Sequence, residues 1–186
     1  RPIAAPSANR SGHVSATRAE HVAADLGDSA AVILDAGATP RGLESTVLSL
    51  IGPTPVLLRP GAIPSEAIEE ILGEKILRAN ETGEHLTSPG QLQSHYAPKS
   101  KLRLNAKAWE PHEAVLGFGS IAQRPSQATI NLSPSGDLIE AAANLFAALR
   151  KLDASGAETI AVTPVPTYGL GEAINDRLAR AAAPRE

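Results

Sequence analysis

The sequence contains neither cysteine nor methionine. The first absence excludes disulfides, thiolate metal sites and a cysteine nucleophile, and it fits a reducing compartment, so a cytoplasmic location is expected. The second extends to position 1, where the chain opens on Arg1 in "RPIAAPSANRSG". An intact translation product starts with methionine, so the expectation is a fragment or a processed chain. No apolar run approaches the roughly 20 residues that span a bilayer, and no charged stretch leads into an apolar one as in a secretory signal, so no membrane partner is expected. A net charge of -3 gives no global attraction to nucleic acid. Contact with phosphate would have to come from a local site.

Recognisable catalytic patterns are missing as well. There is no nucleophile elbow, no Walker-type glycine loop and no GxGxxG after a strand; "GFGSIA" and "YGLGEA" each carry only a GxG pair and read as turns. His13, His21, His85, His95 and His112 are dispersed without a helical zinc-site spacing, so no protein metal site is expected.

The residues that are present have the balance of a folded globular protein, 42% hydrophobic and 20% charged over 186 residues, enough for one large domain or two small ones. Residues 17–26 read as a helix with Thr17 as N-cap, Glu20 at the capping-box spacing and Gly27 as stop. "AVILDAG" (31–37) reads as a strand buried on both faces. "STVLSL" and "PVLLRPG" follow as two more strands around a Gly-Pro turn. "SEAIEEILG" reads as a helix entered through Pro64 and stopped by Gly73, with Ala67, Ile68, Ile71 and Leu72 on its apolar face. From about residue 78 to 99 the pattern dissolves into a polar stretch punctuated by Pro89, Gly90 and Pro98, an interdomain linker. Beyond it, "KLRLN", "AVLGFGS", "ATINLS", an amphipathic run over 137–152, "TIAVTPV" and a last helix near 172–182 alternate as in a small α/β domain with a mostly parallel sheet.

Four groups of residues could carry chemistry. In "APSANRSGHVSAT", Ser7, Asn9, Ser11, Ser15 and Thr17 offer neutral donors and acceptors before a helix N-terminus, where an anion would sit well. The same side chains could equally satisfy their own backbone in a capped loop. Glu44 and Ser45 stand at a strand mouth, facing a cleft or serving the strand alone. Arg59 ends an apolar strand before a Pro-Gly turn, placed to fork onto phosphate or carboxylate or to form a surface salt bridge. His95 and Tyr96 could stack on a base or pack against their own domain.

In this order, "APSANRSG" with "HV" and "SAT", "ILDAG", "GLESTV", "LLRPG", "SPGQLQSHYAP" and "GLGEAINDRLARAA" resemble the two-domain L-threonylcarbamoyladenylate synthases, the larger members of the YrdC-like family. The resemblance implies an α/β fold: residues 1–77 as the C-terminal half of a YrdC-like catalytic domain with a twisted open sheet, 78–100 as an interdomain linker acting as a lid, and 101–186 as a small Rossmann-like accessory domain. It implies ATP, L-threonine and bicarbonate as substrates, with Mg2+ accompanying ATP, and threonylcarbamoyl-AMP and pyrophosphate as products, feeding proteins that modify tRNA. No protein nucleophile is implied, because the threonine carbamate itself attacks the α-phosphorus; the protein positions reactants and neutralises charge. Ser7, Asn9, Ser15, Arg59, His95 and Tyr96 are implied in ATP binding, and Ala5, through its backbone, and Ser45 in threonine binding.

The chain departs from the family at Ser15-Ala16-Thr17, where the usual pattern is S-P-T, and at Gln91, where an aliphatic residue is usual. The family's basic K-x-R motif lies upstream of Arg1, so the fragment is expected to lack adenylate synthesis alone. A non-catalytic nucleotide- or RNA-binding YrdC-like module, with double-stranded RNA as partner, is the alternative, and the acidic balance argues against it. The carbamoyl-transfer domain of hydrogenase maturation proteins fits less well, because "SHYAP" and "GLGEAINDRLARAA" belong to the synthase type.

Overall fold

The structure, a computed structural model, describes residues 7–79, 95–122 and 125–184. They build two sheets, each on one side of the stretch that the sequence marks as a linker. The first is three-stranded in the order β1 (Val47–Ser49), β2 (Val56–Arg59), β3 (Leu77–Arg78), with β1 antiparallel and β3 parallel to β2. Helix α1 (Ala19–Leu26) precedes this sheet, and α2 (Ser65–Leu72) crosses from β2 to β3. Gly73, in the left-handed region at φ 71°, terminates α2 as the sequence predicts.

Three expectations change here. Helix α1 starts after Arg18, and Thr17 does not cap it: the Thr17 backbone N–H donates instead to His21 Nδ1 at 3.2 Å. Residues 31–37 form no strand, and Val32 and Leu34 are exposed. A strand needs a neighbour for its backbone groups, and among the described residues none pairs with this segment. The apolar face expected of α2 is also uncovered at Ile71, and the helix docks through its polar residues. The Ser65 hydroxyl donates to Glu172 at 2.7 Å, and Glu66 accepts from the Gly169 N–H at 3.0 Å.

The second sheet is parallel throughout, in the order β4 (Lys101–Arg103), β7 (Thr159–Val162), β5 (Ala114–Gly117), β6 (Ala128–Asn131). Helix α3 (Leu138–Asp153) makes the crossover from β6 to β7, and Asp137 caps it by accepting from the Ile139 N–H at 2.8 Å. Its stripe of Ala142, Leu145, Phe146, Leu149 and Leu152 is buried together with Leu116 and Ile160 of the sheet and Ile174 and Leu178 of α4 (Leu170–Ala182). This is the principal core of the molecule. No helix of the described residues is long and apolar enough to cross a membrane.

Candidate functional site

The loop ahead of α1 is held both by its own contacts and by donors and acceptors from other segments. Asn9 Nδ2 donates to the carbonyls of Arg10 and His13 at 3.0 and 3.1 Å, whereas its Oδ1 is buried without a hydrogen-bond partner among the described residues. Ser7 is exposed, and Ser15 is buried. The Ser15 hydroxyl is committed to Glu44, donating to Oε1 at 2.7 Å.

Glu44 and Ser45 lie just before β1, and the end of β2 closes against them. Arg59, 8% exposed, donates through Nε and Nη2 to the Ser45 carbonyl at 3.2 and 2.8 Å and through Nη2 to the Ser45 hydroxyl at 3.2 Å. Arg59 is therefore a buried clamp rather than a surface ion pair. Gly61 makes the close approach possible, because a Cβ there would overlap the backbone of Glu44 and Thr46. The Ala62 N–H donates to the Glu44 carbonyl, and Thr46 Oγ1 both donates to the Ile63 carbonyl and accepts from its N–H.

Two residues outside the expected set complete the cluster. Arg177 of α4, fully buried, donates from Nε to Glu44 Oε2 at 2.8 Å and from Nη2 to the Pro60 carbonyl at 3.0 Å. Arg150 of α3 donates from Nε to the Ser15 carbonyl at 3.3 Å and from Nη2 to the Val14 carbonyl. The signal for Arg177 was in the sequence: it interrupts the buried stripe Leu170, Ala173, Ile174, Leu178, Ala181 at a helical spacing. An arginine at an apolar position asks for buried acceptors. No comparable signal marks Arg150.

Tyr96 does pack against the C-terminal unit, its ring stacked on Phe146 at 5.5 Å and lying 5.2 Å from the Arg177 guanidinium carbon. It is buried, with a positive φ of 60° that a tyrosine adopts only when its surroundings impose it. His95 meets its edge at 4.0 Å, and its Nδ1 is buried without a partner among the described residues. Burial lowers the His95 pKa, and Glu44, Arg180, Arg177 and Arg59 all act on its charge. His95 thus lies near the cluster, whereas Tyr96 belongs to its wall. Ala5 and residues 80–94 of the expected lid lie outside the described residues.

The charges decide what the cluster can do. Burial would raise the Glu44 pKa, but the Arg177 charge and the hydrogen bonds from Ser15 and Arg177 together bring it below the usual carboxylate value. An ion-paired carboxylate of low pKa is a poor general base, so Ser15 beside it is not an activated nucleophile. The arrangement is suited to fixed donors and close backbone approach. Among the described residues no group of three or more His, Asp or Glu could hold a metal. A separate cleft of about 610 Å³ runs between α1 and α3, bordered by Arg18, His21, Asn144, Arg150 and Lys151, and none of the expected site residues lines it.

The profile of a family described as threonylcarbamoyl-AMP synthase, C-terminal domain, matches residues 63–183, and one described as telomere recombination matches residues 1–61. The chain is similar to the threonylcarbamoyl-AMP synthase of Pyrococcus abyssi, 38% identical over all of this chain and 59% of the relative, and to that of Bacillus subtilis, 38% identical over 99% of this chain and 58% of the relative. It spans less than two thirds of either. The crystal structure of P. abyssi Sua5 complexed with L-threonine superposes with a TM-score of 0.82 at 38% identity, over 98% of this chain and 58% of that one. A variant of the same protein, with a histidine and the tyrosine after it replaced by alanine, superposes at 0.78 and 36% identity, over 98% and 57%.

Proposed function

From its membership of the threonylcarbamoyl-AMP synthase family, to which this chain belongs, we propose that it supplies nucleotide- and threonine-holding segments to an enzyme that joins ATP, L-threonine and bicarbonate. In that reaction the threonine amine takes up carbon dioxide or bicarbonate, the carbamate oxygen attacks the α-phosphorus of ATP, and pyrophosphate leaves. The product, threonylcarbamoyl-AMP, passes in the cytoplasm to proteins that transfer the group to tRNA. Residues 1–77 belong to the catalytic unit, 78–100 to a lid over it and 101–186 to an accessory unit. Ser7, Asn9, Ser15, Arg59, His95 and Tyr96 serve ATP, and Ala5 and Ser45 serve threonine.

The observation that carries this reading is the closure of Arg59 onto Ser45, with Ser15 on the adjoining Glu44. Fixed donors of this kind stabilise charge on a polyphosphate without forming a covalent bond to it. Mg2+ would arrive on the ATP phosphates. Calorimetric titration of the chain with ATP and with L-threonine tests the reading. Arg59→Ala should weaken ATP binding about tenfold, the loss of roughly one charged hydrogen bond. A wild-type chain that takes up neither ligand would refute it.

A further inference from the structure

Arg177 has the largest fully buried side chain among the described residues. A guanidinium shut away from water is costly unless acceptors surround it. Only one of its acceptors is on its own helix: Nη1 donates to Asp176 Oδ2 at 2.5 Å, and Asp176 is itself held by Arg180 Nε at 3.0 Å. The others come from separate segments. Glu44 precedes β1, Pro60 follows Arg59 at the end of β2, and the ring of Tyr96 faces the guanidinium from the stretch before β4. Glu44 in turn takes the hydroxyl proton of Ser15, which brings in the loop before α1.

We propose that Arg177 is the positioning residue by which the C-terminal unit sets the ligand-holding segments in register, fixing Ser15 through Glu44, Arg59 through the neighbouring Pro60 carbonyl, and Tyr96 through its ring. The inference deepens the proposed function and rests on it for what those segments hold. Arg177 is completely buried, so it touches no ligand itself. Helix packing does not require it either. An apolar side chain would extend the stripe of Leu170, Ala173, Ile174, Leu178 and Ala181 and bury as well. What it would lack is a planar fork whose Nε and Nη2 reach Glu44 and the Pro60 carbonyl at once. Lysine keeps the charge but offers a single nitrogen and cannot span both acceptors.

Two quantities measured on the whole chain, as wild type, Arg177→Lys and Glu44→Gln, test the proposal: amide hydrogen exchange segment by segment, and ATP affinity by calorimetry. In Arg177→Lys, exchange in residues 12–17, 44–46 and 59–62 should rise at least tenfold while that in helix α3 stays as in the wild type, and ATP affinity should fall about tenfold. Glu44→Gln keeps Arg177 and its pair with Asp176 on α4 but removes the ionic partner at Nε, and it should reproduce the rise in residues 12–17. It also keeps the test decisive if Arg177→Lys fails to fold. Exchange in the three segments that matches the wild type overturns the proposal, and so does a rise spread evenly over α3 and the parallel sheet, which would mean general destabilisation. A wild-type chain without ATP affinity refutes the functional reading alone, because the exchange pattern still decides whether Arg177 orders these segments.

Discussion

Arg150 of α3 and Asp25 of α1 form a two-pronged ion pair, Nη1 to Oδ1 at 3.0 Å and Nη2 to Oδ2 at 2.6 Å, with side chains only 17% and 15% exposed. The same guanidinium also takes the carbonyls of Val14 and Ser15, so one side chain joins the loop before α1, the end of α1 and the C-terminal core. Arg150→Met would leave a largely buried carboxylate and two carbonyls without their donor. The expected loss is about 3 kcal/mol, seen as a lower urea midpoint. An unchanged midpoint would mean that the two units do not depend on this pair.

Acid should destabilise the fold in two stages. Burial, reinforced by Arg150 at His21, lowers the pKa values of His21 and His95 from 6.5, so below that pH the unfolded chain takes up their protons first and stability falls. Hydrogen bonds from Arg150 lower the Asp25 pKa from 3.8, and Arg177 with Ser15 brings Glu44 below 4.5 despite its burial. The stability these carboxylates contribute is present above those values and is lost as pH falls through the lower folded ones. Thermal midpoints from pH 8 to 3 should therefore decline first below about 6.5 and again below about 4.5. The double variant His21→Gln/His95→Gln should remove the first decline only; its persistence would show that other groups cause it.

Gly42 allows the segment ahead of Glu44 to lie on the backbone of α3. A Cβ there would overlap the Ala142 carbonyl oxygen and stand 2.6 Å from the Ala143 Cα, and φ is +66°. Gly42→Ala should cost about 3 kcal/mol or more, from overlap and backbone strain together. Gly136 supplies the control, since its φ is +79° and nothing lies within 4 Å of a Cβ built on it. Gly136→Ala should cost only about 1 kcal/mol of strain. Equal losses in the two variants would deny the close contact at Gly42.

Leu34 and Ile51 are 91% and 93% exposed, although their sequence context is apolar. Replacing either with serine should change unfolding free energy by no more than about 0.5 kcal/mol, whereas Ile174→Ala in the closed core should cost about 3 kcal/mol. Binding of a hydrophobic dye should fall in the Leu34→Ser/Ile51→Ser double variant. A large stability loss there would mean that these side chains are covered in solution.

Much of the secondary structure was legible because its signals are local. The period of the 137–152 run, Gly73 as a stop and the apolar runs that became β2, β5 and β7 each depend on a few neighbouring residues. The strand expected at 31–37 failed for the complementary reason: an apolar run states a preference, but a strand exists only where a neighbour completes its ladder. Thr17 fits a capping box by spacing alone, yet His21 Nδ1 took its backbone donor.

The sequence by itself determined the family, through ordered motifs, the parallel α/β character of the C-terminal unit, and the residue types of the candidate site. Tertiary structure decided which of those residues meet. It turned Arg59 inward onto Ser45, set Tyr96 against Phe146, and brought Arg177 to Glu44 across 133 positions of chain. Periodicity and spacing report only on near neighbours, whereas a buried charge is stabilised by whatever the fold places beside it. Its partner is therefore fixed by packing of segments far apart in sequence.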